Sequence, residues 1–137
     1  MPSGRSPSCC PATGVPSTLI PVTTHRDLVF DVSRGLLYIT TSGGTVERWS
    51  VANQSLLTGL SVGTSLNGAD ITPSGSDLYV AENQAATTTG TVYDVALATG
   101  TVTPLTYTLA FGEGGAWDVA IASNGKALLT TEFAGSG

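Results

Sequence analysis

The chain has 137 residues, of which only 11% are charged, and its net charge is −5 at neutral pH. Its five Lys and Arg residues are scattered along the sequence, which argues against a nucleic-acid partner or an anionic membrane surface, because both need clustered positive charge. No apolar run approaches the roughly 18 residues that a membrane-spanning helix needs.

The first 14 residues differ in composition from the rest. They are rich in Pro, Ser, Gly and Cys and have no hydrophobic periodicity, so we predict a disordered leader over residues 1–14. The two cysteines, Cys9 and Cys10, are adjacent within it. Because this spacing suits neither a C-x-x-C redox motif nor a metal site, unpaired thiols are the favoured interpretation, and no cofactor is predicted.

From about Val15 onward the sequence repeats. Three stretches share an apolar alternation, a polar turn and a second apolar run, and they lie at residues 28–39, 69–80 and 119–130. Aligning them places Leu37, Leu78 and Leu128 at equivalent positions. A period of about 40–50 residues built from short strands is typical of a β-propeller blade.

In chain order, the repeat predicts the following elements. Residues 17–20 are predicted to form the last strand of a preceding blade. Two full blades of four strands follow, at about 28–62 and 69–109, and residues 117–133 supply two strands of a third. The predicted fold over residues 15–137 is therefore all-β, a β-propeller fragment made of four-stranded antiparallel meander blades.

The second repeat carries a family resemblance. The segment 71–80, with Pro73 and Gly75 in its turn and a Leu-Tyr-Val strand after it, resembles the repeat of YVTN/NHL-type, WD40-like β-propellers. The segment 95–100 resembles that family's third strand and Thr-Gly turn. The resemblance implies the fold and leaves the ligand open. Since known propellers need about four to eight blades, either the chain is a fragment of a larger ring or several copies of it assemble to close one. Its open blade edges favour self-association.

Candidate binding residues follow from the predicted topology. The loops that enter the first strand of each blade share one rim with the loops between the second and third strands, and propeller ligands usually bind at this rim. The predicted rim residues are Arg26, Asp27, Asn67, Asp70, Trp117 and Asp118. The three aspartates either converge on Ca²⁺ or Mg²⁺, or accept hydrogen bonds from turn N–H groups. The second alternative is favoured, and no metal site is predicted.

No catalytic residues are predicted. His25 is the only histidine, so a hydrolytic triad or a histidine-based metal site would need residues from elsewhere. Glu82 and Glu132 occupy equivalent positions in the sequence alignment of the repeats. They are either an acid–base pair or two residues with a shared structural role, and the structural role is favoured.

These observations predict a non-catalytic binding or interaction scaffold belonging to a secreted or cell-surface protein. Its partner would be a protein or a small molecule at the rim, with no nucleic acid and no membrane span. Low charge and an abundance of Ser, Thr and Gly support the extracellular location. The alternative is a fragment of a propeller enzyme, lactonase-like or lyase-like, whose catalytic residues lie in other blades.

Overall fold

The computed structural model describes residues 16–133, which form ten β-strands and no α-helix. The described part of the chain therefore contains no helix of the length and apolarity needed to cross a membrane. The predicted leader, with its two cysteines, lies outside the described residues. The strands are β1 (His25–Asp31), β2 (Leu36–Thr41), β3 (Thr45–Ser50), β4 (Ser55–Ser61), β5 (Leu66–Ile71), β6 (Asp77–Glu82), β7 (Thr89–Ala96), β8 (Thr101–Thr108), β9 (Glu113–Ile121) and β10 (Ala127–Phe133).

The strands form three antiparallel sheets, each a simple meander. Blade I has the order β1-β2-β3-β4, blade II has the order β5-β6-β7-β8, and a two-stranded ribbon, blade III, pairs β9 with β10. The first strands of the three units lie side by side, with β5 between β1 and β9. This arrangement confirms the predicted fold class, an all-β propeller fragment with its first strands innermost.

Strand β6 shows why these segments form strands. Leu78 and Val80 are fully buried, whereas Asp77 before them and Tyr79 between them are half-buried. This is the two-residue alternation of a sheet that is packed more tightly on one face than on the other. The preceding turn contains Gly75, whose φ of +72° is a left-handed conformation that glycine adopts at little cost.

The core lies between the blades. One cluster joins blades I and II and includes Tyr38, Val46, Leu66 and Leu78, each at most 2% exposed. A smaller cluster around Ala116 joins blade II to blade III. Because each sheet buries its face against the next sheet, the stability of each blade depends on its neighbour.

The prediction of a strand at residues 17–20 is wrong. The described residues before β1 form no strand. Instead, Ile20 and Val22 line a small apolar cavity of about 240 Å³ with Leu28, Leu37 and Ile39, on the face of blade I opposite to the one that packs against blade II. Apolar side chains in this segment therefore cover part of a sheet face without any strand pairing.

The alignment of Leu128 with Leu78 is also wrong, by one residue. In blade II, Ile71 pairs with Leu78, whereas in blade III the equivalent Ile121 pairs with Ala127. The cause is a turn that is one residue shorter, because it closes with Ala122 N–H donating to Lys126 O, where blade II uses Thr72 and Asp77. A shift of one residue moves a side chain to the opposite face of a strand.

The same shift separates the two glutamates. Glu82 pairs with Leu66, but the residue that pairs with the equivalent Ala116 is Thr131. Glu132 therefore does not occupy the position of Glu82, and the predicted equivalence fails. Glu82 is buried and accepts hydrogen bonds from the N–H groups of Thr64 and Ser65, at 2.8 and 2.7 Å, which fixes the loop into blade II.

Candidate functional site at the rim

Each innermost strand contains a β-bulge at the same point of the repeat. In β1 the ladder is interrupted at Arg26 and Asp27, in β5 at Asn67 and Gly68, and in β9 at Trp117. A bulge places extra residues on one strand and re-aims their side chains, and bulges are enriched next to functional sites. The three bulges lie at equivalent points of the repeat, so they recur side by side at one rim.

The bulge residues surround an open cavity of about 460 Å³. Its lining consists of His25, Arg26, Asp27, Asn67, Gly68, Trp117 and Asp118. Five of the six predicted rim residues are among them. Asp70 is not, because it lies two residues further along β5 than Gly68 and faces β9. The structure thus assembles most of the predicted site from three separate blades.

The bulges are held rigidly by polar contacts. Thr40, which is 1% exposed, accepts a hydrogen bond from Asp27 N–H at 3.0 Å and donates from its hydroxyl to the carbonyl oxygen of Asn67 at 2.6 Å. Asn67 in turn donates from Nδ2 to the carbonyl oxygen of Trp117 at 2.6 Å. This chain of hydrogen bonds links all three blades and fixes the shape of the cavity.

Three lining side chains remain available to a ligand. Arg26 and Asp118 are exposed, and the indole of Trp117 is 46% exposed. Within residues 16–133 the guanidinium of Arg26 makes no salt bridge and Asp118 Oδ2 accepts no hydrogen bond. The cavity therefore offers a positively charged donor, a carboxylate acceptor and a flat aromatic surface.

The aspartates do not converge on one point. Asp27 and Asp70 each direct Oδ2 to a backbone N–H group of the following blade, Ala69 at 2.9 Å and Ile121 at 2.7 Å. In the described part of the chain, no three His, Cys, Asp or Glu side chains lie close enough together to hold a metal ion. The hypothesis of three convergent carboxylates is therefore wrong. The alternative is right that the aspartates accept hydrogen bonds from N–H groups, but these N–H groups belong to strands β1, β5 and β9 and not to turns.

The single histidine lies at the edge of the cavity. His25 is exposed, and its Nδ1 lies 3.2 Å from the carbonyl oxygen of Val22. Among the described residues, the His25 ring makes no hydrogen bond to a side chain that could act as a nucleophile. The structure consequently places His25 as a rim residue, where its contacts position the segment that enters β1.

Two parts of the site were missed from the sequence. Gly68 lines the cavity but carries no chemistry that a motif search would select, and Thr40 lies on β2, outside the predicted rim. The one sequence signal for Gly68 was that it aligns with two rim aspartates, Asp27 and Asp118, in the repeat. The bulges themselves leave no clear sequence pattern, because they depend on pairing across strands.

The fold and the rim cavity define the chain as part of a β-propeller. Among solved structures, it is similar to hydrazine synthase from Kuenenia stuttgartiensis, with a TM-score of 0.60 and 16% sequence identity over 82% of this chain. The chain spans about 30% of the length of that protein chain. No protein-family model matches the sequence, and no curated protein matches it either. At this identity the similarity concerns the fold alone.

Proposed function

We propose that the chain is a non-catalytic binding scaffold that holds a small polar ligand, or a polar loop of a protein, in the rim cavity. The observation that carries this proposal is the convergence of Arg26, Asn67, Trp117 and Asp118 from three blades around about 460 Å³. Binding sites of this size typically combine a few placed polar groups with an aromatic surface.

The electrostatics favour particular ligand chemistry. The lining holds one guanidinium and two carboxylates, and Asp27 already uses both of its oxygens in hydrogen bonds to Leu28 and Ala69. A ligand rich in hydroxyl or amide groups would match the free donors of Arg26 and the free Oδ2 of Asp118 while stacking on Trp117. Polyhydroxylated molecules such as sugars are therefore the first class to test.

The setting of this scaffold is part of the proposal. We place it in the YVTN/NHL-type repeat family, on the turn and strand motif around Pro73 and Gly75. We also place it in a secreted or cell-surface protein, because its polar surface uses Ser, Thr and Gly in place of charge. Both assignments rest on sequence alone.

Tryptophan fluorescence provides a direct test, because the two tryptophans differ in exposure. Trp49 is 9% exposed and Trp117 is 46% exposed, so a ligand in the cavity should change mainly the emission of Trp117. The Trp49→Phe variant isolates that signal. We expect titration with a panel of mono- and oligosaccharides to give saturable changes in emission, with Arg26→Ala weakening affinity about tenfold, equivalent to about 1.4 kcal/mol.

The matched control is Arg48→Ala. Arg48 is a half-buried arginine in blade I that donates from Nε to the carbonyl oxygen of Thr58 and does not line the cavity. Its loss should leave the affinity unchanged. Equal loss of binding in both variants, or a panel in which no compound changes the emission, would count against the binding scaffold. Turnover of a lactone or a polysaccharide by the protein would instead support the enzyme alternative.

A further inference from the structure

The hairpin between β3 and β4 carries a sequence motif that the rim cavity does not use. Asn53, Gln54 and Ser55 match the Asn-x-Ser acceptor pattern for N-linked glycosylation, in which x is any residue except proline. The chain has four asparagines, and the other three lack a serine or threonine two residues later. The motif therefore singles out one site on the chain.

The structure leaves the Asn53 side chain open to solvent. Asn53 and Ser55 are both exposed. The backbone N–H of Asn53 donates to Ser50 Oγ at 3.2 Å, whereas its side chain makes no hydrogen bond within residues 16–133. Gln54, with a φ of +50°, closes the turn in the left-handed conformation that Gly100 adopts at the equivalent point of blade II. The side-chain amide can therefore carry a bulky group without displacing any described contact.

The hairpin lies away from the surfaces that the molecule uses elsewhere. Strand pairing places Ser50 and Ser55 level with Leu36, at the end of blade I opposite to His25 and the rim cavity. Because β4 is the last strand of its sheet, the hairpin also lies away from β1 and its contacts with β5. A glycan on Asn53 would therefore extend outward without entering the cavity or separating the blades.

The strand that follows the hairpin has an unprotected edge. β4 pairs only with β3, so its other edge presents unpaired backbone groups. Its seven residues include neither a charged residue nor a proline, and Leu56 and Leu57 are 38% and 37% exposed. A bulge opposite Glu47 interrupts the register only beyond Leu57. Such an edge favours pairing with another strand unless charge, proline or a covering group prevents it.

The equivalent strand of blade II is protected in a different way. β8 contains Pro104, which has no N–H group to offer at a sheet edge. Its hairpin, around Thr99 and Gly100, contains no asparagine. The two outer strands are thus complementary in design, because one carries a proline and the other directly follows a glycosylation motif.

We propose that Asn53 carries an N-linked glycan and that this glycan shields the adjacent edge of β4. The proposal rests on the secreted or cell-surface location proposed above, because the transfer takes place in the secretory pathway. In the transfer, Asn53 Nδ2 forms a bond to the anomeric carbon of an oligosaccharide carried on a lipid diphosphate. The bond from that carbon to the diphosphate oxygen breaks, the lipid diphosphate leaves, and the amide nitrogen loses one proton to a base of the transferase. The product has a bulky hydrophilic group at the surface.

The first test asks whether the full chain is an acceptor, whatever its natural location. The chain is translated behind a cleavable secretion signal with microsomes that contain oligosaccharyltransferase, and protease protection verifies import. We expect a discrete increase in apparent mass that peptide N-glycosidase reverses. Asn53→Gln and Ser55→Ala should abolish the increase, whereas Ser55→Thr, which keeps the motif, should preserve it. Asn124→Gln is the matched control, since Asn124 is exposed in a turn but lies outside any such motif. An imported wild-type chain without the increase would overturn the proposal.

The second test uses the protein from its own cells and medium. Peptide N-glycosidase converts a glycosylated asparagine to aspartate, and mass spectrometry of the peptide containing residue 53 should detect this conversion. Protein recovered outside the cell with Asn53 unmodified would overturn the glycan but support the location. Protein found only inside the cell, and unmodified, would overturn both.

A third measurement tests the shielding of β4. We expect enzymatic removal of the glycan to make the weight-average mass in sedimentation equilibrium rise about twofold with concentration, as pairing of two open edges predicts. Leu56→Lys should suppress this rise, because a charge on an edge strand opposes pairing. Leu105→Lys on β8 is the matched control, since Leu105 is 42% exposed beside Pro104, and it should leave the rise unchanged. Equal masses with and without the glycan, or an association insensitive to Leu56→Lys, would show that the shielding role is wrong.

Discussion

Arg34 ties together the turns of two successive blades. Its Nη1 donates to Asp31 Oδ2 in its own turn at 2.8 Å and to the carbonyl oxygen of Gly75, in the equivalent turn of blade II, at 2.7 Å. This contact lies at the rim opposite the cavity. The boundary between blades I and II is therefore held by Arg34 at one rim and by Asp27 at the other.

Replacing this arginine should loosen the boundary between blades I and II. We expect Arg34→Met to lower the free energy of unfolding by about 1–3 kcal/mol, because it removes the charged donor of Asp31, whose carboxylate is 2% exposed, together with the hydrogen bond to Gly75. Urea denaturation measures the change. Lys126→Met is the matched control, since Lys126 is exposed and its side chain contacts no acceptor among the described residues. Equal losses in the two variants would contradict a role for the inter-blade contact.

Asp31 should make the stability depend on pH. Burial raises the pKa of Asp31, but hydrogen bonds from Ser33 and Arg34 outweigh it and hold this pKa below its ordinary value. Because the pKa is lower in the folded than in the unfolded chain, ionised Asp31 favours folding. Its contribution is complete above the unfolded pKa of about 3.9 and is lost as the pH falls through the folded pKa.

Thermal melts at several pH values test this assignment. We expect Asp31→Asn to lower the melting temperature at pH 7 and to flatten its decline in the acid range. A variant whose melting temperature falls in parallel with that of the wild type throughout the acid range would show that Asp31 is not a source of the pH dependence.

Three substitutions test which side chains of blade II face the core, that is, the phase of its strands. Leu78 is fully buried, so Leu78→Ala should cost about 2–5 kcal/mol of stability. Ile71 is half-buried against the same cluster, and its change to Ala should cost less. Ser74 lies exposed in the turn, and Ser74→Ala should stay within about 0.5 kcal/mol. Denaturant titration gives all three values, and similar costs for Leu78 and Ser74 would refute the observed strand phase.

Divalent cations should not stabilise the protein through the rim aspartates. The Asp70 carboxylate is occupied by the N–H groups of Ile71 and Ile121 and points away from the cavity. We expect millimolar Ca²⁺ to leave the melting temperature unchanged, and Asp70→Asn to cost about 1–3 kcal/mol through a weakened inter-blade hydrogen bond. A calcium-dependent rise in melting temperature that Asp118→Asn abolishes would restore the metal hypothesis.

Much of the fold was predictable because strand formation is local. The two-residue alternation around Leu78 and Val80, and the glycine in the turn before them, identify strands and turns without any knowledge of their neighbours. The candidate site was predictable in part for the same reason. The repeat alignment alone placed Arg26, Asn67 and Trp117 at equivalent positions, and all three residues line the cavity.

The sequence-based predictions failed where the pairing between strands decides the position of a side chain. A turn shortened by one residue moved Leu128 to the position that Tyr38 and Tyr79 occupy in the other blades and separated Glu132 from the position of Glu82. Alignment of the turn glycines conceals such a shift. Likewise, the sequence could not distinguish aspartates that bind a cation from aspartates that bind N–H groups of the next blade.

The amino-acid sequence by itself determined the all-β class, the repeat and the rim at which its polar residues gather, since these depend on spacing along the chain. Only the tertiary structure decided which carboxylate faces the cavity and which crosses to the next blade. Those contacts, such as Asp70 with Ile121, join residues far apart in sequence, and they are set by bulges and strand register that form when the sheets pack together.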